Sequence, residues 1–356
     1  MKTFKIGNTH IGANSKVYFI ADIAANHDGS LLRAKKLIRL CAKAGANAAK
    51  FQHFKAETIV SAEGFRKVGK ITHQSKWKKS VFEVYKDASI NPNWTAQLKK
   101  ECKKNNIDFL TAPYDLDYVD SVNKFISAYK IGSGDITWKE IIIKIAKKKK
   151  PVLLACGASS LKDTVDATKL ILKHNKKLVL MQCNTNYTNS IKNFEFLNIN
   201  AIEQFKKIFK KRLILGLSDH TPGHISVLGA ITLGAKVIEK HFTDNNLRNG
   251  PDHAFSLNPK TWREMVNASR YLEKSLGDGA KKIEFNEKQS IIVQRRGVWI
   301  KKNIKKGEKL KRSHIEILRP CPKNSISPFY IDKYLGKRIN KDLKPNSILT
   351  KKCLSL

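Results

Sequence analysis

Eight short runs of β-branched and apolar residues recur along the first three quarters of this chain, each followed by a polar turn and then a helical pattern. They occupy residues 17–23, 46–51, 107–111, 128–131, 152–155, 178–183, 214–218 and 237–241, and segments such as LLRAKKLIRLCAKAG and LKDTVDATKLILKH separate them. Strands joined by helical crossovers either close into a (β/α)8 TIM barrel or spread into an open doubly wound sheet, and the pattern alone permits both. The polar residues favour the barrel. A barrel builds its active site at the carboxyl ends of its strands, so reactive groups should follow strand after strand. Asp22 and Asn26 follow the first run, Lys50 and Gln52 end the second, Thr111 and Tyr114 follow the third, and Lys130 and Ser133 the fourth. Asn184, Thr185 and Tyr187 follow the sixth, the seventh ends Ser218-Asp219-His220 and the eighth Glu239-Lys240-His241. An open sheet would gather such groups near one switch point instead.

A chain of 356 residues exceeds the roughly 250 to 300 at which a single core stops growing, so a large domain with a small one is the expected partition. We read residues 1–280 as the barrel, 281–290 as a linker and 291–356 as a small β-rich domain, where RRGVWI, KKGE, IEILRP and a Pro345-Asn346 turn alternate strand-like runs with turns. The long connection 54–106 contains His73, Gln74, Trp77 and Trp94 before a helix near Thr95, and reads as an excursion covering substrate.

A net charge of +38 raises anionic partners, because clustered cations bind phosphate backbones and anionic surfaces. Here the lysines are spread along the whole chain and no recognition motif accompanies them, so solvated helix faces account for them and no nucleic-acid partner is expected. The run Lys147 to Lys150 falls where a helix should end, and cations there complement the helix dipole. No stretch approaches the roughly 20 apolar residues of a membrane helix, so no membrane partner is expected either. The opening MKTFKIGNTHIG lacks the apolar run of a secretory signal. The six cysteines are scattered with no C-x-x-C pair, which suits reduced thiols and a cytoplasmic enzyme.

The segments ADIAANHDG, AAKFQHFKAE, FLTAPYD, YKIGSGD, PVLLACGAS, MQCNTNY, LGLSDHTPG, VIEKHFT and GPDHAFSLNP, in this order, resemble the sialic acid synthase family, N-acetylneuraminate synthase with its legionaminate and pseudaminate relatives. RRGVWIKKNIKKGEKL and EILRP resemble that family's antifreeze-like C-terminal (SAF, β-clip) domain. The resemblance runs from about Val17 to Leu356. It implies a barrel that condenses phosphoenolpyruvate with an N-acetylmannosamine-type aldehyde, releasing phosphate. It also implies a divalent metal, manganese first with magnesium or cobalt able to substitute. Finally, it implies a domain-swapped homodimer in which each antifreeze-like domain covers the partner's barrel.

Two imidazoles at adjacent strand ends, His220 and His241, suit an octahedral manganese site with open positions better than a closed zinc site, and the resemblance makes them the ligands. For the doubly anionic phosphoenolpyruvate, Lys50, Gln52, Lys130, Ser133, Thr185 and Ser218 match the family's positions. Lys50 and Lys130 interrupt apolar strand sequence, where an ammonium without an anionic partner is costly. Asp22, Glu239 and Asp135 join Lys130 as the expected catalytic set, with Asp standing at 22 and 135 where the family usually has Glu. Tyr187, Asp252 and Arg296 match sugar-contacting positions. The resemblance implies that Arg296 reaches the sugar's N-acyl group in the partner's site, and since Arg295 is its strand neighbour only one of the two can face that site. Ala112 and Ala155 replace hydroxyl residues, and Thr185 stands where Asn or Ser is usual, with Thr111, Cys156 or Asn184 as compensating donors. Two alternatives stay open: a Schiff-base barrel aldolase using Lys50 or Lys130, and a non-catalytic basic barrel that only binds.

Overall fold

The computed structural model describes residues 3–69, 71, 74–75 and 77–355, so His73 lies outside the described residues. The chain divides into two compact units, residues 1–277 and 278–356. In the first, eight parallel strands close on themselves: β3 (Tyr18–Asp22), β4 (Ala48–His53), β5 (Asp108–Pro113), β6 (Tyr129–Ile131), β7 (Val152–Ala155), β8 (Leu178–Cys183), β9 (Ile214–Asp219) and β10 (Val237–His241), with β10 paired back to β3. The barrel expected from strand-end polarity is the observed fold.

The helices form because their apolar residues recur on one side. In Leu31–Ala44 the buried residues are Ala34, Leu37, Ile38, Cys41 and Ala44, a single stripe facing the barrel. Ser30 caps this helix by accepting from the Arg33 amide, and Gly45 ends it at φ 101. The excursion after β4 folds into the helices Ala56–Ile59, Ala62–Val68 and Val81–Ala88 before the helix Thr95–Lys104. Among the described residues no helix is long and apolar enough to cross a membrane.

Alternation along each strand separates two cores. Tyr18, Ile20, Ala48, Leu110, Ala128, Leu153, Val179, Met181, Ile214 and Val237 fill the barrel interior. Phe19, Ala49, Phe51, Phe109, Tyr129, Leu154, Leu180, Leu215 and Ile238 meet the helices. Phe4, Ile6 and Ile11 join the interior cluster from a hairpin of β1 (Phe4–Ile6) and β2 (Thr9–Ile11), which closes the amino-terminal end of the barrel. That plug was not legible as strands in the sequence.

The second unit is built on the antiparallel pair β11 (Gly297–Ile300) and β12 (Ile315–Leu318), with isolated bridges such as Trp299 to Ile348 and Ile304 to Leu343. Val298, Ile300, Ile304, Leu310, Ile315, Ile339, Leu343 and Leu349 form its core. Part of the segment read as a linker is helical, in a turn at Phe285–Glu287 and the helix Lys288–Gln294.

Candidate active site

Carrying the strand alternation one step to the carboxyl ends turns Asp22, Lys50, Lys130, Cys183, Ser218, Glu239 and His241 inward. The same rule turns His53, Thr111, Gln182, Asp219 and Lys240 toward the helices. Hydrogen bonds bear out both sets. Lys50 Nζ lies 2.6 Å from Asp22 Oδ2. Glu239 Oε1 accepts from Lys130 Nζ at 2.8 Å and from Ser218 Oγ at 3.2 Å, and stands 3.6 Å from Lys50 Nζ. The other oxygen, Glu239 Oε2, is buried with no partner. The backbone folds back after β3 through left-handed Ala24, and the Ala24 amide donates to Asp22 Oδ1 at 3.1 Å, fixing the carboxylate from behind.

These charges set one another. Burial works to raise the Glu239 carboxyl, but Lys130 and Lys50 outweigh it and hold it at about 2. Burial works against the Lys50 ammonium, yet Asp22 and Glu239 keep its pKa above the ordinary lysine value. Burial, with Glu239 nearby, lifts Asp22 above the usual carboxylate range despite Lys50. Asp135, half-buried after β6, is pushed up to about 6 by burial.

A second group adjoins the first. The Gly157 amide donates to Ser133 Oγ at 2.9 Å. A Cβ at Gly157 would stand 2.8 Å from Thr185 Cγ2, 3.0 Å from Ser133 Oγ and 3.1 Å from Cys183 Sγ, so only glycine fits there. Cys183 lies against both Ser133 and Ser218 and so links the two groups. Neither Gly157 nor Cys183 was singled out in the sequence, because a glycine and a cysteine in an apolar run carry no chemical signature. Of the donors expected to compensate for Ala112 and Ala155, Thr111 points outward and donates to the Phe51 carbonyl, Cys156 donates to the Met181 carbonyl, and Asn184 uses one amide N–H on the Phe196 carbonyl.

His220 and His241 come together, with ring centroids 5.4 Å apart. His220 Nδ1 donates to the Asn184 carbonyl at 2.8 Å, which fixes the tautomer and leaves the lone pair on Nε2. His241 Nδ1 is buried without a hydrogen-bond partner, 3.9 Å from Asp252 Oδ2, and its Nε2 is 3.5 Å from Asp22 Oδ2. Burial, with His241 beside His220 and Lys50 beside His241, lowers both rings to about 3. Two neutral imidazoles with lone pairs available are a donor set that fits a divalent cation needing further ligands from water or substrate. Among the described residues no group of three or more His, Cys, Asp and Glu makes a fuller ligand set.

A cavity of about 170 Å³ opens beside His241, lined by Gln52, Tyr114, Tyr187 and Asp252 and by Phe54, Trp77 and Tyr85 of the excursion. Gln52 therefore faces this cavity, on the same side as Asp252. Tyr187 packs on His220 with centroids 4.4 Å apart. Asp252 Oδ2 accepts from the Ala25 amide at 3.2 Å, and burial raises this carboxyl to about 7. Arg296 belongs to the second unit, where it donates to the Ile317 carbonyl at 2.8 Å.

Buried carboxyls, buried ammoniums and paired imidazoles converging at the carboxyl mouth of a parallel barrel define an enzyme of the (β/α)8 class. The chain belongs to the NeuB family, whose profile matches residues 37–281, and a SAF domain profile matches residues 295–355. It is 36% identical over 342 residues to N,N'-diacetyllegionaminic acid synthase of Campylobacter jejuni, covering 94% of this chain and 99% of that protein. It is 31% identical to pseudaminic acid synthase of the same species, over 96% of each chain. The crystal structure of N-acetylneuraminic acid synthetase from Leptospira borgpetersenii superposes with a TM-score of 0.71 at 28% identity, over 82% of this chain and 95% of that one.

Proposed function

We propose that this protein joins phosphoenolpyruvate to the aldehyde of an open-chain 2-acetamido or 2,4-diacetamido hexose, giving a nonulosonic acid and inorganic phosphate. The observation that carries the reading is the Glu239 carboxylate shared by Lys130 and Lys50 at the barrel mouth. Lys50 and Lys130, with the Ser218 hydroxyl, converge on one oxygen of that carboxylate, so two ammoniums and a small hydroxyl stand together at the mouth. A small molecule with both phosphate and carboxylate can take both ammoniums as charge-assisted partners, and the names of the relatives supply the reaction class.

In this reading Lys50 and Lys130 carry the two anionic groups of phosphoenolpyruvate, and Ser133, Ser218 and the Gly157 amide add hydrogen bonds. Gln52 joins the phosphoenolpyruvate contacts, and Tyr187 and Asp252, which line the same cavity as Gln52, face the sugar. Arg296 contacts its N-acyl group from the partner protomer of a homodimer. Asp22 and Asp135, whose carboxyls burial raises, take and return protons as water adds at C2 and phosphate leaves. A divalent ion held by His220 and His241, manganese first, would polarise the aldehyde carbonyl. The free thiols Cys41, Cys102, Cys156, Cys183 and Cys353, all buried, suit a reducing cytosol.

A Schiff-base aldolase would need an uncharged lysine. Lys50 is kept charged by Asp22 and Glu239, and Lys130 is bonded to Glu239. The test is phosphate release from phosphoenolpyruvate with Mn²⁺ and a panel of such hexoses. Release with at least one sugar, abolished by a chelator and indifferent to borohydride, is expected. No release with any sugar, or irreversible labelling by borohydride with pyruvate, would overturn the proposal.

A further inference from the structure

Asp219 and Lys240 are directly paired in register on β9 and β10 and point away from the barrel mouth, toward the helices. Each is almost completely buried. Lys240 Nζ donates to Asp219 Oδ2 at 2.6 Å and to the Thr221 carbonyl at 2.7 Å. Asp219 also accepts from the Thr221 amide at 3.0 Å, from Thr221 Oγ1 at 2.9 Å and from Ser226 Oγ at 2.5 Å. This network touches neither the cavity nor the charged cradle. It grips the chain on both sides of His220, at 219 and 221, and ties it to the residue immediately before His241.

A buried ion pair is weak support for stability, because well-packed apolar residues of similar volume serve as well or better. A reason for its presence has to be sought in geometry. The pair fixes the relative height and rotation of two adjacent strand ends, and on each the next residue is an imidazole whose ring must sit beside the other. The ladder sets the register of the two strands as far as Asp219 and Lys240, and the Asn184 carbonyl steers the His220 ring; where the β9 ladder ends, the buried pair and its bonds to Thr221 hold the chain on either side of His220.

We propose that Asp219 and Lys240 are positioning residues that hold His220 and His241 at the mutual spacing needed to share one divalent cation. The inference rests on the metal reading of the site given above. Supporting groups of this kind typically change metal affinity on the order of 10- to 100-fold when removed.

The test measures Mn²⁺ binding to the full-length protein by titration of free Mn²⁺ in electron paramagnetic resonance, together with phosphoenolpyruvate binding without metal. The double substitution Asp219→Leu with Lys240→Met removes both charges and leaves no unpaired ion. It is expected to weaken Mn²⁺ binding on the order of 10- to 100-fold while the phosphoenolpyruvate dissociation constant stays near the wild-type value. Lys240→Arg, which can still pair with Asp219, is expected to retain tight binding. Ser226→Ala, which removes one hydroxyl from the same carboxylate and is mild enough to fold, should give a smaller loss in the same direction. Wild-type Mn²⁺ affinity in the double variant, or equal loss of Mn²⁺ and phosphoenolpyruvate binding in Ser226→Ala, would overturn the inference. A wild-type protein that binds no Mn²⁺ would instead sink the metal reading itself, and this inference with it.

Discussion

Lys130 on β6 and Glu239 on β10 meet across the barrel interior, Nζ to Oε1 at 2.8 Å, although 109 residues separate them in the chain. Both are buried, so each is the other's main compensation for leaving water. Removing one member of such a pair leaves an uncompensated charge, a penalty that runs to about 3–5 kcal/mol for buried pairs.

Lys130→Ala is therefore expected to lower the melting temperature. Its kinetic effect should fall on the phosphoenolpyruvate KM, raised by about 10- to 100-fold, the worth of one hydrogen bond to a charged group. Steady-state kinetics at saturating sugar separate the two readouts. An unchanged KM would remove Lys130 from the anion cradle.

Gly157→Ala introduces a methyl group 2.8 Å from Thr185 Cγ2 and 3.0 Å from Ser133 Oγ. One of them has to move, and the bond from the Gly157 amide to Ser133 is the contact most exposed to that shift. We expect the phosphoenolpyruvate KM to rise by about 3- to 10-fold, in line with one neutral hydrogen bond, with Mn²⁺ affinity unaffected. A parallel loss of Mn²⁺ binding would show that the cradle and the imidazoles are not separate.

Asp252→Asn should be more stable than the parent at alkaline pH and less active. The folded-state pKa of Asp252 is raised to about 7, so the folded protein holds a proton there that the unfolded chain, at the ordinary value of 3.8, has already lost. That preference stabilises the fold at low pH and is lost as pH rises through about 7, because a charged carboxylate is then buried. Asparagine never charges. The melting-temperature advantage of the variant should accordingly grow from pH 4 to pH 7 and level off above it, to an extent of a few kcal/mol at most. A pH-independent difference would mean that Asp252 is ionised throughout.

Co-expression of Arg296→Ala with His241→Ala tests the shared site. If Arg296 serves the partner's barrel, a mixed dimer has one intact site although each variant alone is crippled. Random pairing then returns about a quarter of wild-type activity in a two-fold dimer. Recovery no greater than the sum of the separate variants would place Arg296 and His241 of one protomer in the same site, or Arg296 in none.

The succession of strands and helices, the closed barrel and the approach of His220 to His241 were readable along the chain. Each depends on local pattern plus one general rule, that barrel enzymes carry their polar groups at the carboxyl ends of strands. The orientation of those groups was not readable. Strands buried on both faces read as continuous apolar runs, with no polar alternation to mark which side looks inward. Asp219 and Lys240 therefore looked equivalent to Ser218 and Glu239, although one pair faces the helices and the other the mouth. Thr111 looked available and is bonded to the Phe51 carbonyl. The hairpin plug escaped notice because each of its strands is only three residues long, too short for a periodic signal.

By itself the sequence determined the list of charged and imidazole side chains and the strand ends from which they project, since residue type and spacing are properties of the covalent chain. Only the tertiary structure decided which of them share an oxygen, a proton or a cavity. Those relations arise where strands far apart in the chain are brought into register, and charges that would be independent in water are forced to compensate one another in a dry interior.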